Sequence, residues 1–137
     1  MNNKQMPHNT ATSTSAITMG LCAALLTVEK STPKVLIVKD ETDALPFGAF
    51  EPEKDFTLHK GLHRWIKEQT NLTPNYVEQL YTFGNRFRDP GELQGGARVI
   101  SVGYLGLLPP THPHSQGAAW TPIYDYLPWE DQRTSNA

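Results

Sequence analysis

Three arginines lie in or just after a glycine-containing stretch in the second half of the chain. Arg86 and Arg88 lie within residues 84–96, and Arg98 follows that stretch directly. The segments on either side are rich in Val, Ile, Tyr and Phe, so we expect the arginines on or beside a loop between two strands. A guanidinium group donates paired hydrogen bonds to phosphate oxygens. The pattern therefore predicts a clamp for a diphosphate, and the alternative is a set of solvent-exposed loop charges.

Aromatic and histidine side chains could supply further contacts. Phe83 and Tyr104 could stack on an adenine, although strand aromatics belong more often to the core. His59 and His63 are four residues apart in a predicted helix, and His112 and His114 lie two apart between prolines. Both spacings are compatible with a metal ion, but no further ligands accompany either pair. We expect exposed histidines in both places.

Composition restricts the class of protein. The chain has 137 residues, a length that predicts one domain, and its formal charge is −2. A nearly balanced charge argues against a nucleic-acid surface built from this segment, because phosphate binding requires a clustered basic excess. The longest apolar run, 17–28, is shorter than the ~20 residues that cross a bilayer. The single cysteine, Cys22, cannot form an internal disulfide, which favours the cytoplasm.

The order of elements predicts an α+β (α/β) fold with a mixed sheet. Residues 1–15 are polar and predict a flexible leader. Alternating and β-rich segments predict strands over 16–28, 34–39, 76–83 and 98–108, with a short extended piece at 45–50 and a short aromatic segment at 120–126. One helical segment lies between the strands, so we expect at least one helix packed on the sheet.

The predicted helix has recognisable ends. Asp55 or Thr57 can cap its start, and Asn71 can end it in the left-handed conformation. Apolar residues near one face predict the buried side, and this set includes Phe56 and Trp65. We expect Trp65 in the core.

The segment 45–72 resembles the Nudix box, whose pattern is Gly, five residues, Glu, seven residues, Arg-Glu-aliphatic, one residue, Glu-Glu, one residue, Gly-aliphatic. Residues 64–72, RWIKEQTNL, align with its helical half, and 45–48, LPFG, resembles the Leu-Pro-Gly-Gly that opens the box in many members. The chain is about two residues longer between these blocks, so the first Glu of the pattern has no secure counterpart. The implied fold is a Nudix-like mixed sheet sandwiched by helices.

The departures from the box are informative about chemistry. The resemblance implies that carboxylates from one helix hold Mg²⁺ or Mn²⁺, at positions that here are Trp65, Glu68 and Gln69. One carboxylate of three remains, and Gln69 can offer only a neutral oxygen. The expected cofactor is therefore none. If a reduced metal site exists, Glu68 and Gln69 are its expected ligands, together with an acid such as Glu53 or Asp89.

A second stretch narrows the resemblance. Residues 76–90 and 98–105 resemble a Nudix subgroup that includes ADP-ribose pyrophosphatases and the NadQ-type transcriptional regulators of NAD biosynthesis. In such regulators a degenerate Nudix domain precedes a DNA-binding part. The resemblance implies a Nudix-like domain over 16–130, truncated at its C-terminal end, with a tail over 131–137. DNA would be contacted only through a part beyond this chain, and a homodimer is an expected assembly.

Our first hypothesis is a ligand-sensing domain that binds an NAD-related nucleotide, ADP-ribose or NAD, without hydrolysis. The expected ligand-binding residues are Arg86, Arg88, Arg98, Phe83 and Glu68. The alternative is an Mg²⁺-dependent hydrolase of the ADP-ribose pyrophosphatase type, in which Glu68 and Gln69 hold the metal. A third possibility is a structural module without nucleotide affinity.

Overall fold

The computed structural model describes residues 16–39, 41–110 and 117–133. The leader predicted over 1–15, the end of the tail, and His112 and His114 lie outside the described residues. Within these ranges, seven strands form one sheet and one α-helix packs against it, with these bounds in chain order: β1 Ile17–Glu29, β2 Thr32–Lys39, β3 Asp43–Ala44, β4 Phe47–Ala49, α1 Leu58–Thr70, β5 Glu78–Phe83, β6 Arg98–Leu107 and β7 Ala118–Pro122.

The long strand β1 organises the sheet. It pairs in parallel with β6 along 17–26 and antiparallel with β2 along 26–29. The short strand β4 pairs antiparallel with 20–22 of β1. The path through the sheet is β3-β2-β1-β6-β5, with β4 on β1 and β7 on β2. Because one pairing is parallel and the others are antiparallel, the predicted mixed sheet and α+β class are confirmed.

The core lies between α1 and the face of β1 toward it. Leu21 and Leu25 of β1 and Leu62 and Ile66 of α1 are each 1% exposed or less. Alternation along β1 produces this face, since successive side chains of a strand point to opposite sides. Phe56 was expected on the same buried face and is 88% exposed, so that expectation was wrong.

The ends of α1 follow the local signals. Thr57 is the N-cap, and its hydroxyl accepts a hydrogen bond from the Lys60 amide at 3.0 Å. Asn71 closes the helix with φ of 58°, and its amide donates to the Lys67 carbonyl. Phe56 therefore precedes the helix and does not share its periodicity, which explains its exposure.

The last described segment lies along β2. Strand β7 pairs with β2, and short 3₁₀ turns follow at Ile123–Asp125 and Pro128–Glu130. Trp120 of β7 packs partly buried against the core. In the part of the chain that the structure describes, no helix is long and apolar enough to cross a membrane.

Candidate functional site

Two side chains of α1 bind the backbone of β4. The Trp65 indole Nε1 donates to the Ala49 carbonyl at 2.8 Å. The Gln69 amide makes two hydrogen bonds to Phe47: its Oε1 accepts from the Phe47 amide at 3.1 Å, and its Nε2 donates to the Phe47 carbonyl at 2.7 Å. Since β1 pairs with the other edge of β4, these bonds satisfy backbone groups that would otherwise face away from the sheet. Trp65 was expected in the core and instead lies half-buried over this strand.

Gly48 allows this close approach. An added Cβ at Gly48 would lie 2.1 Å from Cε2 of the Trp65 indole, far inside van der Waals contact. The indole therefore lies directly on the backbone of β4, and only glycine fits beneath it. The segment 47–49 is held between β1 and α1.

The arginine of the box lies at the centre of an ion-pair network. Arg64 donates to Asp55 through Nε to Oδ1 and through Nη2 to Oδ2, both at 2.9 Å. Glu51 and Glu68 each lie 3.7 Å from its guanidinium group. The hydrogen bonds from Arg64 lower the pKa of Asp55, and the same contacts raise the pKa of Arg64. Two acids from the segment between the two box blocks therefore reach Arg64, Asp55 through two hydrogen bonds and Glu51 at 3.7 Å. The sequence pattern could not assign either partner.

The side chains at the expected metal positions do not match the donors that a hard divalent cation requires. Trp65 offers no oxygen, and the Gln69 oxygen already accepts the Phe47 amide. Glu68 supplies a carboxylate that pairs with Arg64 at 3.7 Å. Within the described ranges, no three His, Cys, Asp or Glu side chains gather in a way that could hold a metal ion. Mg²⁺ prefers several oxygen ligands in octahedral geometry, so this donor set does not fit it.

Two acidic residues of the loop between β5 and β6 accept hydrogen bonds from the loop's own backbone. Asp89 caps a 3₁₀ turn over Pro90–Gln94 by accepting from the Gly91 amide at 3.0 Å. Glu92 accepts from the Phe87 amide at 2.7 Å, and Phe87 is held in the left-handed region with φ of 62°. A non-glycine residue in that region is uncommon, so the Glu92 contact helps to fix the loop.

The three arginines lie at two clefts. Arg86 and Arg98 line an open cleft of about 560 Å³ together with Phe87 and Glu92. Arg98 donates to the Gly84 carbonyl at 2.8 Å, which uses one of its five N–H groups. Such a cleft has the size of a small-molecule site, and its lining combines two guanidinium groups with one carboxylate.

Arg88 borders a second, smaller cleft of about 290 Å³. Its guanidinium carbon lies 4.7 Å from the centre of the Phe83 ring, and its Nη1 donates to Ser101 Oγ at 3.3 Å. Phe47 of β4 contributes to the same cleft. Sequence reasoning did not select Phe47 or Ser101. For Phe47 a signal existed, since it replaces a glycine of the pattern.

The structure therefore brings together only part of the predicted site. Arg88 and Phe83 form one group and Arg86 and Arg98 another, whereas Glu68 lies on α1 beside Arg64 and lines neither cleft. The roles of all five residues in ligand binding stay predictions.

The remaining candidate residues are buried in the core or make contacts with neighbouring residues of the fold. Tyr104 is 5% exposed and belongs to the core, and burial raises the pKa of its hydroxyl. His59 and His63 form a hydrogen bond between their Nε2 atoms at 2.9 Å. Burial lowers the pKa of His63, and the neighbouring His59 lowers it further by a smaller amount. Cys22 is half-buried on β1, and burial raises the pKa of its thiol.

Solved structures with Nudix domains match this arrangement of strands and helix. The NUDIX domain of Shewanella oneidensis NrtR, crystallised with ADP-ribose, matches with a TM-score of 0.74 and 25% identity, over 89% of this chain and 82% of that one. A MutT/nudix family protein from Enterococcus faecalis matches with a TM-score of 0.69 and 21% identity, over 80% and 45% of the two chains. The chain has the Nudix fold, and the predicted resemblance to Nudix proteins is confirmed at the level of the fold.

The structure of Shewanella oneidensis NrtR with a 27mer DNA also matches, at a TM-score of 0.68 and 27% identity over 80% of this chain. This chain spans about half of that protein's length, 52%. Compared by sequence with family models and with curated proteins, the chain matches none.

Proposed function

We propose that this chain is a ligand-sensing Nudix-fold domain of a cytoplasmic regulator of NAD metabolism, which binds an NAD-related nucleotide without hydrolysing it. One observation carries the proposal: Trp65 and Gln69, at two of the three expected metal positions, make hydrogen bonds to the backbone of β4. These side chains help to hold the scaffold together where carboxylates would bind cations. A nucleotide would therefore bind this domain without a metal ion.

Two features support ADP-ribose as the ligand. Arg86 and Arg98 line the larger cleft, and the planar set of N–H donors that each guanidinium group carries suits the oxygens of a diphosphate. The NrtR domain, 25% identical over 89% of this chain, was crystallised with ADP-ribose. NAD contains the same adenosine diphosphate portion and is the second expected ligand.

The regulatory part of the proposal rests on the match to the NrtR–DNA complex. With a formal charge of −2, this chain has no basic excess of its own for phosphate binding. DNA would be contacted through a part of such a regulator that this chain does not match, and a homodimer is the expected assembly. Ligand binding would shift a regulator between two states only to the extent that its affinity differs between them.

Calorimetric titration tests the proposal directly. ADP-ribose, NAD and ATP are titrated with and without Mg²⁺, and the mixtures are then assayed for AMP. We expect ADP-ribose or NAD to bind with the same affinity in both conditions and to be recovered intact. Arg98→Gln should weaken binding about tenfold or more, because a hydrogen bond from a charged group is lost.

Two results would contradict the proposal. Release of AMP only with Mg²⁺, lost in Glu68→Gln, would identify the hydrolase alternative, in which Glu68 and Gln69 take part in holding the metal. Absence of binding to all three nucleotides would favour a structural module.

A further inference from the structure

Three departures from the Nudix pattern meet at one short strand. Phe47 replaces a glycine of the opening motif, and Trp65 and Gln69 replace carboxylates of the helix. Gln69 makes hydrogen bonds to the amide and the carbonyl of Phe47, at 3.1 and 2.7 Å, and Trp65 donates to the Ala49 carbonyl. The two helix residues therefore fix the backbone that presents the Phe47 ring.

The Phe47 ring is available to a ligand. Phe47 is 57% exposed and lines the cleft of about 290 Å³. Its backbone is fixed from both sides, by β1 and by α1, so a ligand that stacks on the ring meets a surface that is already positioned. Preorganisation of this kind lowers the entropy lost on binding.

The rest of the cleft fits a flat, polar ring. Arg88 and Ser101 supply hydrogen-bonding groups, and Gly20 forms part of the cleft without a side chain. An added Cβ at Gly20 would lie 3.1 Å from Ser101 Oγ, so a side chain at this position would crowd the hydroxyl. An aromatic wall with a guanidinium group and a hydroxyl nearby is suited to a heteroaromatic base, which has a π face and polar edges.

The size and position of the cleft indicate which part of a nucleotide it takes. A volume of about 290 Å³ lies at the lower limit for small-molecule sites, enough for one end of a dinucleotide. The larger cleft is lined by Arg98, which directly precedes Val99 of the small cleft, but successive side chains of a strand point to opposite faces of the sheet. Within the small cleft itself, Arg88 supplies a cation for the phosphate that follows the base.

We propose that Phe47 is a ligand-binding residue that stacks on the base of the nucleotide, either adenine or nicotinamide, at the cleft between β4 and Arg88. This inference rests on the proposed function for the identity of the ligand. It adds a residue and a subsite in which the ring, and not a metal ion, supplies specificity at this end of the box.

The test compares Phe47→Ala with two matched variants. Phe47→Tyr keeps an aromatic ring, and Phe56→Ala removes an exposed phenylalanine that lies outside both clefts. Because both hydrogen bonds from Gln69 go to the backbone of Phe47, the alanine variant keeps them. Its melting temperature should therefore match that of the wild type within a few degrees. We expect ADP-ribose to bind at least about 5-fold more weakly to Phe47→Ala, and nearly unchanged to the other two. Wild-type affinity in Phe47→Ala would overturn the inference.

Titrations with adenosine and nicotinamide riboside separate this inference from the proposed function. The nucleoside whose binding falls in Phe47→Ala identifies the base. If ADP-ribose and NAD fail to bind the wild type while one nucleoside binds and depends on Phe47, the nucleotide sensor is wrong and the stacking subsite stands. If neither nucleoside binds at millimolar concentration and ADP-ribose does not bind, both are wrong.

Discussion

The contact between the Trp65 indole and Gly48 joins a side chain of α1 to the backbone of β4 with no room for another atom. We predict that Gly48→Ala lowers the free energy of unfolding by roughly 1–3 kcal/mol, because the ring or the strand must move away from a Cβ that would lie 2.1 Å from it. Urea unfolding monitored by circular dichroism measures the difference.

Gly84→Ala is the matched control for this prediction. An added Cβ at Gly84 meets nothing within 4 Å, so the same substitution should change stability by less than about 1 kcal/mol. Equal losses in the two variants would show that the cost arises from removing glycine and not from the indole above Gly48.

At the scale of the element, α1 is joined to the segment before it by the pair of Asp55 and Arg64. Asp55 is 5% exposed, accepts two hydrogen bonds from Arg64, and also accepts one from the Glu51 amide at 2.9 Å. These bonds lower the pKa of Asp55 in the folded protein. The pair therefore stabilises the fold fully above the unfolded pKa of about 4, and this contribution is lost as the pH falls through the folded pKa.

We predict that Asp55→Asn lowers the urea midpoint at pH 7 and reduces its decline between pH 5 and pH 3. The neutral amide cannot pair with Arg64 as a carboxylate does, and it has no proton to gain in this range. Midpoints measured across pH 3–7 check both effects. Glu53→Gln, an exposed acid of the same segment, is the control and should behave as the wild type. An unchanged slope in Asp55→Asn would assign the acid sensitivity to other groups.

The elements were predicted well where the signal is local. The cap at Thr57, the left-handed Asn71 and the alternation along β1 are each readable within a few residues, and α1 and β1 follow them. Trp65 was misjudged because its hydrogen-bond acceptor, the Ala49 carbonyl, lies 16 residues away and belongs to a strand of three residues. Periodicity identifies the face of a helix that meets the sheet, but it does not distinguish core packing from a backbone contact at the sheet's edge.

The separation of the arginines into two clefts depends on long-range pairing. The parallel register of β1 and β6 sets Ile17 opposite Arg98 and Gly20 opposite Ser101. Arg98 lines the larger cleft, whereas Gly20 and Ser101 line the smaller one. Sequence reasoning could place the arginines on one loop, but the partner strand decides which side chains meet them. Phe47 was missed for the same reason, since β1 and α1 together position it.

At the scale of the whole molecule, the fold is kept while the side chains at the expected metal site differ. The chain matches the NUDIX domain of NrtR over 89% of its length at 25% identity, and Trp65 and Gln69 at the expected metal positions serve the packing of α1 on β4. A chain can therefore have the Nudix fold without the carboxylates of the pattern. Whether Trp65 and Gln69 keep a divalent cation from binding at these positions can be tested by replacing both with glutamate.

We predict that Trp65→Glu combined with Gln69→Glu gives the chain affinity for Mn²⁺ at least about tenfold above the wild type. With Glu68, the variant presents three carboxylates at helical spacing on one face, and affinity for such cations rises with ligand charge. Titration of Mn²⁺ followed by electron paramagnetic resonance measures this affinity, with circular dichroism to verify folding.

Lys60→Gln combined with Lys67→Gln is the control, since it changes the net charge by the same −2 at exposed positions of α1. This variant should bind Mn²⁺ no more tightly than the wild type. Equal binding by this control would reduce the effect to net charge. Weak binding by the folded double glutamate variant would mean that β4, with Phe47 in place of glycine, also prevents metal binding.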